Sequence, residues 1–224
     1  MAGSSSGPLM RIFNALAVTQ SFSAGWPDGD WPVGRRFSPP RLEVVVGAIL
    51  TQNVAWTNVE KALAGLIGAG LTTAQALSTS RQSLLEQAVR PAGCYRQKAD
   101  RLKRVAGFIV KYDGDFYRKV DRDELLSLNG VGPETADSIL LYACGRPEFV
   151  VDAYTRRVLG RYGLVNAAHP YDRIKERLEG ILPADVPLFK KYHALIVEHA
   201  KRVCRKEPLC LECCLNADCR TARL

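Results

Sequence analysis

The segment LNGVGPETADSIL, residues 128–140, places a Gly-Val-Gly turn between two apolar runs that have helical spacing. Gly130 and Gly132 permit the positive φ angles of a tight hairpin, and Pro133 suits the first position of the helix that follows. A hairpin of this kind presents backbone amides at a helix N-terminus, which suits a phosphate group. An αα-corner that only packs two helices is the alternative, so the segment predicts a helical hairpin with either role.

Composition and charge narrow the class of protein. The chain has 224 residues, of which 47% are hydrophobic and 24% charged, which is typical of a soluble globular protein. It shows no signal-peptide pattern and no apolar run of the roughly 20 residues that a membrane span needs. We therefore expect no membrane partner and a cytoplasmic location, associated with the nucleoid if the source is bacterial. A net charge of +8 favours a nucleic acid partner, with a solvated basic surface as the alternative.

Apolar periodicity predicts helices along most of the chain. In KADRLKRVAGFIVKY, residues 98–112, the apolar positions 102, 105, 106, 109 and 110 line one face of an amphipathic helix. The run LEVVVGAIL, residues 42–50, suits a buried strand or a buried helix, and helix is preferred because helical patterns follow it. The fold class predicted is all-α.

Seven cysteines are unevenly distributed. Cys94 and Cys144 stand alone in apolar surroundings and are interpreted as core thiols. Five lie within residues 204–219, where a metal site is favoured over disulfides. Four of them form a C-x5-C-x2-C-x5-C pattern, which suits zinc or a [4Fe-4S] cluster: Cys204, Cys210, Cys213 and Cys219. Cys214 is an extra thiol that competes with Cys213 as a ligand.

Asp152 follows an apolar run in FVVDAYTRRVLGRYG, residues 149–163, and precedes an arginine-rich helix. Aspartate at this position is a natural N-cap. A carboxylate at a helix start is also well placed to face a cation that develops during a reaction. The two interpretations are compatible.

These segments resemble a known family. LNGVGPETADSIL followed by VVDAYTRRV is similar to the helix-hairpin-helix, Gly-Pro-Asp (HhH-GPD) DNA glycosylase superfamily. GAILTQNVAWTNVEKAL and GCYRQKADRL are similar to endonuclease III relatives, in the same order. The resemblance implies a monomer that binds double-stranded damaged DNA in a cleft between two all-α domains. One is a six-helix domain with the hairpin, residues 34–146; the other combines residues 1–33 with residues 147–224, which carry the catalytic Asp helix and an iron-sulfur cluster.

The resemblance also assigns roles to single residues. Asp152 would stabilise the oxocarbenium-like sugar and help to orient the attacking water. Gln52 and Asn53 would fill the gap left by the flipped base, with a helix C-terminal cap as the alternative. The tryptophans at positions 26, 31 and 56 would stack on that base or belong to the core. The residues expected to contact the DNA backbone are Gly130, Val131, Gly132, Arg205 and Lys206.

The cofactor and substrate follow from the same resemblance. The cysteine spacing is close to that of endonuclease III, whose first gap has six residues instead of five, so a [4Fe-4S] cluster is favoured over zinc. DWPVGRRF, residues 30–37, with the segments above, most resembles the branch that removes 3-methyladenine. The alternatives are an endonuclease III-type glycosylase/AP lyase for oxidised pyrimidines and a DNA-binding protein with weak or lost catalysis.

Glu134 stands where endonuclease III carries the lysine that attacks the sugar. A carboxylate cannot form a Schiff base, so the resemblance implies a monofunctional glycosylase. Alternatively, Glu134 only complements the helix dipole, and Lys190 or Lys191 reaches the sugar.

Overall fold

A computed structural model describes residues 7–19, 30, 31, 34 and 36–223 of the chain. It divides into two compact units. The split unit combines Met1–Pro32 with Arg146–Leu224, and the central unit is Val33–Gly145. The DNA-binding cleft and the assignment of an iron-sulfur domain stay predictions.

The split unit brings the two ends of the chain together. Its described helices are α1 (Pro8–Thr19), α10 (Ala153–Tyr162), α11 (Tyr171–Glu179) and α12 (Val186–Arg202), followed by single 3-10 turns at Cys210–Glu212, Asn216–Asp218 and Thr221–Arg223. Helix α12 is the centre of this unit, since residues 192–200 are all buried and both α1 and α10 pack against it. Tyr192 fixes α1 to α12 by donating its hydroxyl hydrogen to the Leu9 carbonyl oxygen at 2.8 Å.

The central unit holds eight described helices, where the resemblance implies six. They are α2 (Arg41–Leu50), α3 (Trp56–Gly68), α4 (Ala74–Thr79), α5 (Gln82–Val89), α6 (Tyr95–Val110), α7 (Phe116–Lys119), α8 (Arg122–Leu126) and α9 (Pro133–Ser138), with a 3-10 turn at Arg90–Ala92 and a π-helical turn at Ile139–Ala143. Helices α7 and α8 have only 4 and 5 residues.

The expectation of a helical protein is confirmed. The described residues contain no β-strand, only an isolated bridge between Ser38 and Thr73. The ambiguous run LEVVVGAIL lies in α2, where residues 42–50 are all buried. A helix that is buried on every side needs no polar face, which explains why its sequence lacks periodicity. Among the described residues, no helix has both the length and the apolar character to cross a membrane.

Helix α6 confirms most of its predicted apolar face. Leu102, Val105 and Ile109 are buried, but Val110 is 39% exposed, so its place in the face was wrong. Val110 is the last residue of the helix. Lys98, which the apolar pattern ignores, is buried in the same helix with only 3% of its surface exposed.

The hairpin between α8 and α9 has one glycine in the left-handed region. Gly130 has a φ of 93°, as expected, and a Cβ atom there would lie 2.4 Å from Nε of Arg101. The prediction of a positive φ for Gly132 was wrong, because its φ is −92° and its backbone is extended at the N-cap of α9. Pro133 is the first residue of α9, as predicted.

Two other expectations are corrected in part. Cys94 was interpreted as a core thiol but is exposed, because it precedes α6 in a left-handed conformation with a φ of 44°. Cys144 is half-buried. Trp31 is buried and Trp56 is half-buried. The ring of Trp31 is therefore not exposed for stacking on a base. Trp26 lies outside the described residues.

Candidate active site and cysteine loop

Asp152 occupies the N-terminus of α10 in the split unit. Three buried residues, 149–151, lead to it. Its Oδ1 atom accepts a hydrogen bond from the Thr155 amide at 2.7 Å, so the predicted N-cap is observed. The side chain is only 13% exposed.

Helix α11 anchors the segment that carries Asp152. The Phe149 amide donates to Oε1 of Glu179 at 2.7 Å, and the Val151 amide donates to the Tyr171 hydroxyl oxygen at 3.2 Å. Glu179 also accepts a hydrogen bond from the buried Lys175 ammonium at 2.7 Å. Two backbone amides just before Asp152 are therefore bonded to a second helix, and the backbone position of this carboxylate is well defined.

The second carboxylate oxygen of Asp152 faces a histidine. Oδ2 lies 3.5 Å from Nε2 of His193, which is buried on α12. Burial acts to raise the pKa of Asp152, but His193 and the Thr155 amide act in the other direction, and the resulting pKa is lower than usual. In the sequence, His193 lies among apolar residues at helical spacing, which is typical of a core or interface residue. Its burial agrees with this interpretation, but the contact with Asp152 was missed.

Gln52 connects the loop after α2 to the hairpin in the central unit. Its Nε2 atom donates to the Gly130 carbonyl oxygen and to Oγ1 of Thr135, both at 3.0 Å, and its Oε1 accepts from Arg101. The side chain therefore caps no helix. Asn53, the next residue, is exposed and has a φ of 55°. Of the two predicted gap-filling side chains, only Asn53 is exposed in this conformation.

Lys98 forms hydrogen bonds with the backbone of the same loop. Its ammonium donates to the carbonyl oxygens of Leu50, Gln52 and Ala92 at 2.9, 2.8 and 2.7 Å. Burial lowers the pKa of this lysine, although its three hydrogen bonds satisfy all three of its donors. Sequence reasoning missed Lys98, and a lysine within an otherwise apolar helix face is the signal that could have found it.

The tip of the hairpin is bonded within the protein as well. The Val131 side chain is buried, and its amide donates to the Leu128 carbonyl oxygen at 2.9 Å, so neither group points to a ligand here. Arg104 donates to the Asn129 carbonyl oxygen at 2.6 Å, which brings an exposed guanidinium to the hairpin. Glu134 is exposed in the first turn of α9.

The cysteine loop follows α12 and encloses a small apolar cavity. Cys204, Cys210, Cys213 and Cys219 line this cavity, whereas the exposed Cys214 does not. Burial raises the pKa of the Cys213 thiol to about 11. In the described part of the chain, no three His, Cys, Asp or Glu side chains are arranged to hold a single metal ion.

Polar groups surround the thiols. The Leu215 amide donates to Sγ of Cys213 at 3.4 Å, and Nε2 of His199 lies 3.5 Å from the same sulfur. Arg161 donates to Sγ of Cys204 at 3.5 Å. Hydrogen bonds to sulfur are among the features by which proteins tune thiolate-ligated clusters.

Two arginines of α10 bind the backbone of this loop. Arg157 donates to the carbonyl oxygens of Ala200 and Cys204 at 2.9 and 2.8 Å. Arg161 donates to the carbonyl oxygens of Arg205 and Lys206. The backbone of the two predicted phosphate-binding residues is thus fixed, while their side chains are exposed.

Comparisons with known proteins agree with this geometry. Residues 46–184 match the family described as "HhH-GPD superfamily base excision DNA repair protein". The chain is 49% identical over 197 residues to a Methanocaldococcus jannaschii protein named "Putative DNA repair glycosylase", covering 84% of this chain and 87% of that protein.

Two solved structures share the fold. The structure of H. pylori 3-methyladenine DNA glycosylase bound to 1,N6-ethenoadenine has a TM-score of 0.73 and 30% identity, covering 86% of this chain and 96% of that one. A trapped endonuclease III-DNA covalent intermediate has a TM-score of 0.78 and 25% identity, covering 97% and 98%. The chain therefore belongs to the HhH-GPD superfamily of base excision DNA repair proteins and is a DNA N-glycosylase.

Proposed function

We propose that this glycosylase acts as a monomer on double-stranded DNA, from which it removes alkylated purines such as 3-methyladenine, with water as the nucleophile. The observation that carries the proposal is the Asp152 carboxylate at the start of α10, which is only 13% exposed. In the central unit, the exposed Glu134 at the start of α9 stands where a lyase would have its lysine. The similarity to a 3-methyladenine glycosylase whose structure holds a modified purine supports the substrate class.

Asp152 supplies the electrostatic part of the reaction. When the N-glycosidic bond breaks, the electron pair leaves with the base and positive charge develops on the sugar at C1′. An ionised carboxylate stabilises that charge, accepts a hydrogen bond from the water that adds to C1′ and takes up the proton that this water loses. The low pKa of Asp152 supports this role, because the group is ionised at neutral pH despite its burial.

The isosteric variant Asp152→Asn tests this role. Asparagine also caps helices, so the fold and the DNA affinity should be retained while release of 3-methyladenine from methylated DNA falls to background. Release at the wild-type rate would show that Asp152 is only a helix cap. Loss of release in the variant also separates an enzyme from a protein that only binds damaged DNA.

Because position 134 is a glutamate, the chain lacks the lysine amine that a lyase would use there as its nucleophile. Of the two alternative lysines, Lys190 is paired with Asp30 at 2.9 Å, and Lys191 is exposed on the same helix. We expect borohydride to trap no covalent adduct on DNA that carries the lesion, and strand breaks to appear only after alkali.

An endonuclease III-type glycosylase/AP lyase is the second candidate, which the similarity to the trapped covalent intermediate favours. An efficient borohydride adduct, lost in Lys191→Ala, would support it. Release of oxidised pyrimidines but not of alkylated purines from a panel of lesion-bearing duplexes would likewise overturn the first proposal.

The cysteine loop fits a [4Fe-4S] cluster held by Cys204, Cys210, Cys213 and Cys219. Tetrahedral zinc has Zn–S distances of about 2.3 Å, so its four sulfurs must lie within about 4 Å of one another. The four thiols line one cavity, and their spacing contains only one close C-x2-C pair, whereas zinc sites usually have two such pairs. Bound as thiolates, the cysteines would fix the loop and so contribute to folding.

The metal content decides between the cofactors. Purified protein should be yellow-brown and contain iron and acid-labile sulfide in equal amounts. Stoichiometric zinc in colourless protein, expressed with sufficient iron, would contradict the cluster.

DNA contacts are proposed for both units. In the central unit they are the hairpin and the exposed Asn53. To enter the duplex, the Gln52 side chain would first have to break its hydrogen bonds with Gly130, Thr135 and Arg101. In the split unit they are the exposed side chains of Arg205 and Lys206.

A further inference from the structure

The two carboxylate oxygens of Asp152 have different surroundings. Oδ1 is used by the helix cap, through the Thr155 amide at 2.7 Å. Oδ2 faces Nε2 of His193 at 3.5 Å, within the limit of an ion pair and slightly long for a hydrogen bond. Hydrogen bonds at catalytic groups are often long before substrate binds and tighten in the complex.

Both sides of this contact are held in place by packing. The Phe149 ring, three residues before Asp152, lies edge-on to the rings of Phe189 and Tyr192 with centroid distances of 5.2 and 5.8 Å. Phe189 and Tyr192 belong to α12, as does His193. Packing thus fixes the distance between the segment that carries Asp152 and the helix that carries His193. An imidazole that met Oδ2 by chance on a mobile segment would lack this support.

We propose that His193 is a positioning residue for the glycosylase reaction: its Nε2–H donates to Oδ2 of Asp152, which fixes the carboxylate rotamer and keeps it ionised. The inference rests on the proposed catalytic role of Asp152. Histidine acts through the carboxylate and touches neither the base nor the sugar. The donor on His193 explains why the largely buried Asp152 carboxylate has a low pKa, since burial alone would favour the neutral acid.

The test compares four proteins by single-turnover release of 3-methyladenine with enzyme in excess: wild type, Asp152→Asn, His193→Leu and His193→Gln. Leucine fills similar space without a donor, whereas glutamine retains an N–H. Losing a hydrogen bond to a charged group corresponds to a fall of about 10- to 100-fold in the rate constant for His193→Leu. We expect His193→Gln to recover most of this loss. DNA affinity should stay close to wild type in both variants, whereas the urea midpoint should fall in His193→Leu, where the carboxylate lacks this donor, and should fall less in His193→Gln.

The outcomes distinguish the role of Asp152 from the role of His193. A wild-type rate for Asp152→Asn would overturn the proposed role of Asp152 itself. An inactive Asp152→Asn with a wild-type rate for His193→Leu would refute only the role of His193. Equal losses for His193→Leu and His193→Gln, accompanied by weaker DNA binding, would show that His193 serves packing alone. If His193→Leu unfolds, His193→Phe provides a second donor-free side chain for the same comparison.

Discussion

Replacing Lys98 by methionine tests the network that supports the loop after α2. Methionine keeps a long apolar stem in the same space but cannot donate a hydrogen bond. The variant Lys98→Met leaves the carbonyl oxygens of Leu50, Gln52 and Ala92 without the donor that bonds them in the wild type. Lys103→Met is a matched control on the same helix, because Lys103 donates to a single carbonyl oxygen, that of Ser80, at 2.7 Å.

The magnitude follows from the number of acceptors. Each buried carbonyl left without a donor costs at least about 1 kcal/mol. The bonds to Leu50 and Ala92 are buried and that to Gln52 is partly buried, so we expect a loss of about 2 to 3 kcal/mol in the free energy of unfolding. The same rule predicts a smaller loss for Lys103→Met, of at most about 1 kcal/mol, because its single hydrogen bond is only partly buried. For a chain of this length, a loss of about 3 kcal/mol corresponds to a decrease of about 6 to 12 °C in the melting temperature.

Urea denaturation followed by circular dichroism measures both variants under the same conditions. Base release at a temperature where Lys98→Met remains folded should also fall, since the backbone of Gln52 loses its support. If Lys98→Met loses no more stability than Lys103→Met, the three hydrogen bonds do not stabilise the loop and the reasoning is refuted.

Three further predictions concern the cysteine loop, the hairpin and the DNA contacts. Cys213→Ser should lose bound iron whereas Cys214→Ser should keep it, as measured by iron content; the reverse result would exchange the two thiols as ligands. Gly130→Ala should lower the free energy of unfolding by about 1 to 2 kcal/mol, because alanine would have to adopt a positive φ there. Gly132→Ala is the matched control and should leave the stability unchanged, because Gly132 has a φ of −92° and no atom lies within 4 Å of the added methyl group. The logarithm of the DNA association constant should fall linearly with the logarithm of salt concentration, and Lys206→Ala should reduce that slope by about 0.9; an unchanged slope would exclude a phosphate contact for Lys206.

Local patterns in the sequence predicted local structure well. Asp152 at a helix start and Pro133 at the first position of α9 both depend on residues within one turn, and both are observed. The helix containing residues 42–50 was harder, since complete burial removes the polar face that marks a helix in sequence. Gly132 shows the limit of this approach, because glycine permits a positive φ without requiring one.

Contacts between distant residues could not be predicted from local pattern. Gln52 and Gly130 are 78 positions apart, and nothing in either segment indicates that an amide side chain bonds the hairpin carbonyl. The contact between His193 and Asp152 could not be predicted for the same reason. The position of His193 on an apolar helix face indicates burial, but only the packing of α10 against α12 brings Asp152 next to it.

Helix α10 has a consequence for protein engineering. It begins next to Asp152, and its arginines donate to carbonyl oxygens of the loop that follows α12. A shortened chain that stops before Cys204 would retain Asp152, His193 and the hairpin. It would lose Arg205 and Lys206, which are proposed to contact DNA, and Arg161 would lose its bonds to their backbone. Trimming the C-terminus is therefore a poor route to a smaller repair enzyme. A redesigned, metal-free loop should instead preserve the backbone path of residues 204–206, so that the arginines of α10 keep their acceptors.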